Sequence, residues 1–263
     1  MVEDTTRRAL IAGAVTATVG GGAYILSREG EGNDGTGKGS GVGDGEADGS
    51  GETEGISPSF HTGEGTGYEG VELGGKPIMG DPEAPIDMYY WMDFQCPFCH
   101  EFERDSLPDV YRNYVETGEA RIILTILPVF GKDSLTAANA SSCVWEDVKD
   151  DDPSTYWDWH TAVMAEQDGR NTGWASAESL VEITRSVNGV DAGSLSDCLN
   201  SNSESFANEA RRRVERAGSV GVRSTPGFVL HEPESDRTAR LSGAQPPEMF
   251  EKAIMNVAGS EEI

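Results

Sequence analysis

Asp93-Phe94-Gln95-Cys96-Pro97-Phe98-Cys99-His100 governs the reading of this chain. Two cysteines stand there with two residues between them. An apolar run, Ile86 to Met92, leads in, and a helix-compatible run, His100 to Tyr114, leads out. Cys96 therefore falls at or just before the first turn of a helix. Unpaired backbone N–H groups and the positive end of the helix dipole favour a thiolate over a thiol there. Pro97 suits the first helical position, which needs no N–H donor and wants proline's φ. Cys99 follows nearly one turn later, close enough to close a disulfide with Cys96. The predicted chemistry is thiol–disulfide exchange: Cys96 attacks or is attacked, and Cys99 resolves the mixed disulfide.

Two other readings compete at this point. Cys-x-x-Cys-His is also the attachment motif of c-type haem, with His100 as the axial ligand. A zinc half-site is the third, but it needs two further ligands, and the sequence holds neither a second Cys-x-x-Cys nor a paired His motif. No metal and no cofactor is expected on that count.

The chain has 263 residues, enough for one or two domains with a real core. Its formal net charge is −26, from 46 acidic and 20 basic residues. Such a surface repels nucleic acid and anionic membranes, so neither is an expected ligand. At about 1 M salt the Debye length falls to about 3 Å and the self-repulsion is screened. The composition resembles that of proteins from halophilic archaea; a solvated acidic surface with no such adaptation is the plainer reading.

At the N-terminus, Thr5-Thr6-Arg7-Arg8-Ala9-Leu10-Ile11 opens an uncharged run from Ala9 to Ser27. Paired arginines before a Gly- and Ala-rich apolar segment resemble a twin-arginine export signal. Residues 1–28 are thus expected to be a signal or, if uncleaved, a membrane anchor, since the run is just long enough to span a bilayer. Residues 29–70 hold fifteen glycines, ten acids and one lysine. That composition cannot bury enough apolar surface to offset its ordering entropy, so a disordered spacer is expected. The folded domain is expected over 71–263.

Within it, Pro77 to Pro85 reads as an irregular entry loop, and Ile86 to Met92 as a buried strand. A helix from about Pro97 to Glu116 should break near Leu107, because Pro108 lies inside it. Ala120 to Leu127 is the next strand, and strand, helix, strand in this order is a βαβ unit with a parallel pair. Ser134–Val148, Thr155–Gln167, Ala177–Val187 and Glu204–Ala217 read as helices, with Asp133, Ser154, Ser176 and Ser203 as N-caps. A hairpin of Gly227–His231 and Thr238–Leu241 follows, then a helix from Pro247 to Val257.

With these pieces in place the chain resembles the DsbA-like branch of the thioredoxin superfamily. The resemblance covers Lys76 to Ala258. It rests on Asp93-Phe94-Gln95-Cys96-Pro97-Phe98-Cys99 and on Gly221-Val222-Arg223-Ser224-Thr225-Pro226-Gly227-Phe228-Val229. It implies an α/β thioredoxin fold with an all-helical insertion over about 132–218. It also implies a protein thiol-disulfide oxidoreductase that forms disulfides in exported proteins and is recycled by a membrane or soluble redox partner. Disulfide reduction or isomerisation, and a redox-inert binding module of the same fold, are the alternatives. By the same resemblance Pro226 is cis beside the Cys-x-x-Cys, and Thr225 offers backbone groups to an extended substrate segment, in the manner of strand addition. Pro97 and Phe98 would share that groove. His100 and Asp93 are candidates for tuning the site.

One departure stands out. Many relatives carry a carboxylate six residues before the first cysteine, to help move the resolving thiol's proton; here that position is Tyr90. The proton acceptor for Cys99 is left open. Phe98 cannot donate to a Cys96 thiolate as the histidine of the strongest oxidants does, so a less extreme potential is expected. The other two cysteines, Cys143 and Cys198, sit among apolar neighbours. In an exported protein an even cysteine count favours a structural Cys143–Cys198 disulfide over two buried free thiols. Trp157, Trp159 and His160 read as core and groove wall rather than ligands. The Arg211–Arg213 cluster reads as a salt-bridged solvated face.

Overall fold

The computed structural model describes residues 55–201 and 203–259, and the backbone alone at 203 and 204. The expected signal or anchor over 1–28, the spacer up to residue 54 and the side chain of Ser203 lie outside the described residues. In chain order the elements are β1 (Phe60–Thr62), a single 3-10 turn (Tyr68–Gly70), β2 (Pro77–Met79), β3 (Ile86–Met92), α1 (Pro97–Asp105) and α2 (Leu107–Val110). A π-helical turn (Tyr111–Val115), β4 (Ala120–Ile126), α3 (Lys132–Val148), α4 (Thr155–Ala165), α5 (Ala177–Arg185), α6 (Ala192–Ser201) and α7 (Ser203–Ser219) follow. β5 (Gly227–Glu232), β6 (Arg237–Ser242) and α8 (Pro247–Ala258) complete them.

The strands form one sheet in the order β1-β2-β4-β3-β5-β6. β3 and β4 are parallel, with Tyr90 opposite Leu124, and every other neighbour is antiparallel. The βαβ unit is therefore β3-α1-α2-β4, and the two halves of its connection meet at Ser106, two residues before Pro108.

All seven residues of β3 are buried because both faces of the sheet are covered, which is why its sequence does not alternate. Met88, Tyr90 and Met92 face the larger core with Leu124, Phe228, Phe102 and Phe250. Tyr89 and Trp91 face the smaller one with Ile123, Val229, Val71 and Ala217. Five helices, α3 to α7, stand between β4 and β5 and close the larger core with Trp145, Tyr156 and Trp159.

Three sequence expectations are corrected. Residues from Ile56 onward belong to the folded unit rather than to a spacer: Phe60 packs against Trp145, Tyr156 and Trp157 at 6.3, 5.7 and 6.3 Å between ring centroids. Tyr68 is buried against Tyr89. Pro77–Met79 is a strand rather than loop; three residues are too few to show a period, and pairing with β1 and β4 buries them. Ala192–Ser201, for which the sequence reading gives no helix, forms α6 and carries Cys198. Among the proposed caps, Ser176 accepts the Ser179 N–H at 3.2 Å, and Ser154 holds its position without a capping bond. Asp133 lies inside the first turn of α3, where its carboxylate takes the Gly173 N–H at 2.8 Å.

Cys143 and Cys198 are joined by a disulfide, S–S 2.02 Å, which ties α3 to α6 across a sequence separation of 55. Closing a loop of that length restricts the unfolded chain, and the chain-entropy account gives up to about 4 kcal/mol. The double variant Cys143→Ser/Cys198→Ser should lose stability on that order, read as a lower urea midpoint. An unmoved midpoint would mean that packing of α3 on α6 suffices without the link.

Candidate active site

The site is assembled where the end of β3, the start of α1 and the start of β5 meet. Cys96 is the N-cap residue of α1, with φ −85° and ψ 113°, and Pro97 takes the first helical position. The Cys96 sulfur thus occupies the place where a capping oxygen would sit, facing the first N–H groups of the helix. The Thr225–Pro226 peptide is cis, and the Cys96 thiol donates to the Thr225 carbonyl oxygen at 3.1 Å across 129 residues of sequence. Gly227 permits the tight corner that presents this carbonyl: a Cβ there would lie 2.7 Å from the Ser224 carbonyl oxygen.

The two thiols are free, and they sit in opposite environments. Cys96 is held down to about 6 by the hydrogen bond from the Cys99 thiol first, then by Thr225 and the N–H groups of Cys99 and Phe98, which together outweigh its burial. The Thr225 hydroxyl is buried and has no partner of its own, so it is free to turn to the sulfur once that ionises. Burial pushes the Cys99 thiol well above its ordinary value, and the hydrogen bond to Cys96 and the charges of Cys96 and Glu103 add to it. Cys99 is wholly covered, so a haem attached through both sulfurs would require α1 to open.

Beneath Cys99 lies a group the sequence did not reveal. The Tyr90 hydroxyl is in hydrogen-bonding range of the Cys99 sulfur and donates to Glu103 Oε1 at 2.9 Å. The other side of that carboxylate meets His160 Nε2 at 3.0 Å, and His160 stacks on Trp157 with centroids 4.8 Å apart. His160 is thus core, as read, and also a partner of the carboxylate under the thiols. Glu103 stands four residues after Cys99 on α1, one turn down the same face, a spacing visible in the sequence once the helix is accepted.

Asp93 is buried, and its own burial raises its pKa. Its carboxylate accepts from the Gln95 N–H, the Val129 N–H and the Ser134 hydroxyl, each at 2.8 Å. It fastens the loop before Cys96 to the β4–α3 connection and does not bond either thiol. His100 is half-exposed, and its ring makes no hydrogen bond among the described residues. Pro97 and Phe98 are exposed at the mouth. Cys96, Phe98, Leu127, Val129, Phe130, Arg170, Arg223 and Thr225 line a groove of about 540 Å³. Among the described residues no group of three metal-ligating side chains converges.

Comparison with known proteins follows this geometry. A model of the family described as Thioredoxin matches residues 72–255. Disulfide bond formation protein D of Bacillus subtilis is 24% identical over 158 residues, which is 60% of this chain and 68% of that protein. The crystal structure of oxidised BdbD from Bacillus subtilis superposes with a TM-score of 0.61 at 20% identity, covering 77% of this chain and 100% of that one. DsbA of Chlamydia trachomatis superposes with a TM-score of 0.58 at 23% identity, over 71% of this chain and 93% of that one.

Because the Cys96 pKa lies below and the Cys99 pKa above the ordinary thiol value of 9.0, the two should react apart. Alkylation of Cys96 by iodoacetamide should rise with a midpoint near pH 6, while Cys99 stays unmodified through pH 8. The sign for stability is that of a depressed acid. The dithiol form gains stability from the Cys96 thiolate, in full above the unfolded thiol's pKa, and loses it as pH falls through about 6. Peptide mapping of the alkylated protein across pH reads the first effect. A midpoint near 9 would remove the assignment.

Proposed function

The chain belongs to the thioredoxin family, and from that we propose that it is a protein thiol-disulfide oxidoreductase with Cys96 as the nucleophile and Cys99 as the resolving thiol. The observation that carries the reading is the Cys96 sulfur at the helix mouth against the Thr225 carbonyl, with its pKa held to about 6. Stabilising the Cys96 thiolate favours the reduced pair, so the oxidised pair gives up its disulfide readily and the direction is oxidation of substrate dithiols. That the curated relative is named a disulfide bond formation protein supports the same direction.

The electrons balance as follows. A substrate thiolate attacks the Cys96 sulfur of the Cys96–Cys99 disulfide; that bond breaks, and Cys99 leaves as an anion. A second substrate thiolate attacks the substrate sulfur of the mixed disulfide and displaces Cys96 as a thiolate. The substrate loses two electrons and the pair holds them, until a membrane or soluble partner reoxidises it. Thr225 and Pro226 shape the floor of the groove, with Pro97 and Phe98 at its mouth. Cys99 leaves as an anion in a place that disfavours anions, so it needs a proton then and must release one in the return step. Tyr90 and Glu103 stand where that proton passes, with His160 holding the carboxylate in place. The protein works outside the cytoplasm, a reading supported by Arg7-Arg8 ahead of the apolar run and by the Cys143–Cys198 link, which persists only where thiols are not kept reduced.

Cys96→Ser should abolish oxidation of a reduced dithiol peptide, whereas Cys99→Ser offered the oxidised peptide should accumulate a mixed disulfide on Cys96, because its thiolate opens the peptide disulfide and nothing within the protein displaces it; mass spectrometry reads the adduct. A Cys96→Ser variant as active as the natural protein would leave only the redox-inert module. Glu103→Gln and Tyr90→Phe should each slow opening of the Cys96–Cys99 disulfide by roughly a hundredfold, as loss of a general acid–base group does. The check is the single-turnover rate at which a substrate thiol reduces the oxidised pair, against pH.

A further inference from the structure

Among the described residues there are twelve arginines. Ten of them bond or pair with a protein oxygen, as Arg104 does with Asp105, Arg121 with Asp87, Arg185 with Glu182 and Arg240 with the Tyr68 hydroxyl. The two that do not are Arg170 and Arg223, and both line the groove over Cys96. Arg170 lies flat over the Phe130 ring, 3.8 Å from its centroid, and its N–H groups have no acceptor. Arg223, two residues before Thr225, makes no hydrogen bond or ion pair among the described residues. In a chain with 46 acids against 20 bases, carboxylates are the groups in surplus. Among the described residues none of them lines this groove.

The groove is apolar between those two charges. Four large apolar side chains are exposed among the described residues, and two of them, Phe98 at 54% and Val129 at 45%, form its walls. Cys96 is only 1% exposed, so an attacking sulfur must enter the groove to reach it. The groove also holds the Thr225 backbone, just ahead of β5, and two guanidiniums with no acceptor among the described residues, and these match an extended peptide that carries carboxylates.

We infer that Arg170 and Arg223 are specificity residues that select cysteine-bearing segments with an apolar residue beside the cysteine and acidic residues flanking it. This rests on the reading of Cys96–Cys99 as an exchange pair and names the substrate class of that pair. Elsewhere the acid coat repels an acidic segment, so the groove is where its encounter is productive.

The test uses the full oxidised chain and two reduced dithiol peptides with the same cysteines and apolar residue, one flanked by Glu and one by Lys. Rates of peptide disulfide formation are measured at the lowest salt that keeps the protein folded. The Glu peptide should react roughly tenfold faster, and the preference should shrink as salt rises. The flanks also shift the peptide thiols themselves, so each protein is read by its own Glu-to-Lys rate ratio. Arg170→Glu and Arg223→Glu should each lower that ratio, and the double variant should invert it. Arg185→Glu, the same charge change on α5 far along the chain, should leave it where it was. Equal or inverted preference in the natural protein, or an equal drop with Arg185→Glu, overturns the inference. Dithiothreitol separates the two levels: if it reduces Cys96–Cys99 normally while the peptides are not distinguished, only the selectivity fails. If dithiothreitol cannot reduce the pair, the exchange reading falls and the selectivity with it.

Discussion

A single hydrogen bond, from the Cys96 sulfur to the Thr225 carbonyl, joins two parts of the chain 129 residues apart. Everything else in the site is arranged to make that approach possible. β3 delivers Cys96 to the helix mouth, and β5, paired to β3 with Trp91 opposite Gly227, delivers the Thr225–Pro226 corner to the same level. The helical insertion lies between them in sequence; it closes the larger core and lends the groove one wall through Arg170. A sulfur that is to be ionised at neutral pH must be placed where donors converge and where water is kept from replacing them; the N–H groups at the start of α1 and the buried Thr225 hydroxyl are those donors.

The second constraint is that the two thiols, one helical turn apart, must not behave alike. Cys96 at the N-cap sees the N–H groups of the first turn; Cys99 is inside the helix, and its sulfur faces the core. Burial first raises Cys99, and the hydrogen bond between the two sulfurs adds to that while lowering Cys96. Tyr90 and Glu103 stand against the raised member, which is where a proton has to be handled.

Much of this was legible beforehand. β3 and β4 read as continuous apolar runs because both faces of the central sheet are buried, and Pro97, Pro108 and Pro226 each mark a boundary that proline's missing N–H enforces. β1 and β2 were not legible, since three-residue strands have no period and Phe60 stands in a stretch whose glycines and acids speak for disorder. α6 escaped because its Ser, Asp and Asn residues are weak helix formers and its stability comes from packing on α3 and the link at Cys198. In the site, the cysteines and the Thr225–Pro226 pair could be named from the sequence. Glu103 with His160 could not, because their meeting depends on how α4 crosses α1. Arg170 and Arg223 are distinguished only by lacking the partners that every other described arginine has, which is a property of the folded surface.

β3 is hydrogen-bonded on both sides, to β4 and to β5, and covered on both faces. Its amides should therefore be among the last to exchange with solvent, opening only when the whole domain does. Cys96 follows its final residue by four positions, so the reactive sulfur is mounted on the least deformable part of the chain. Whatever adjustment a bound segment demands must then come from the far wall of the groove, the loops that carry Phe130 and Arg170, and the Cys96 sulfur itself stays put.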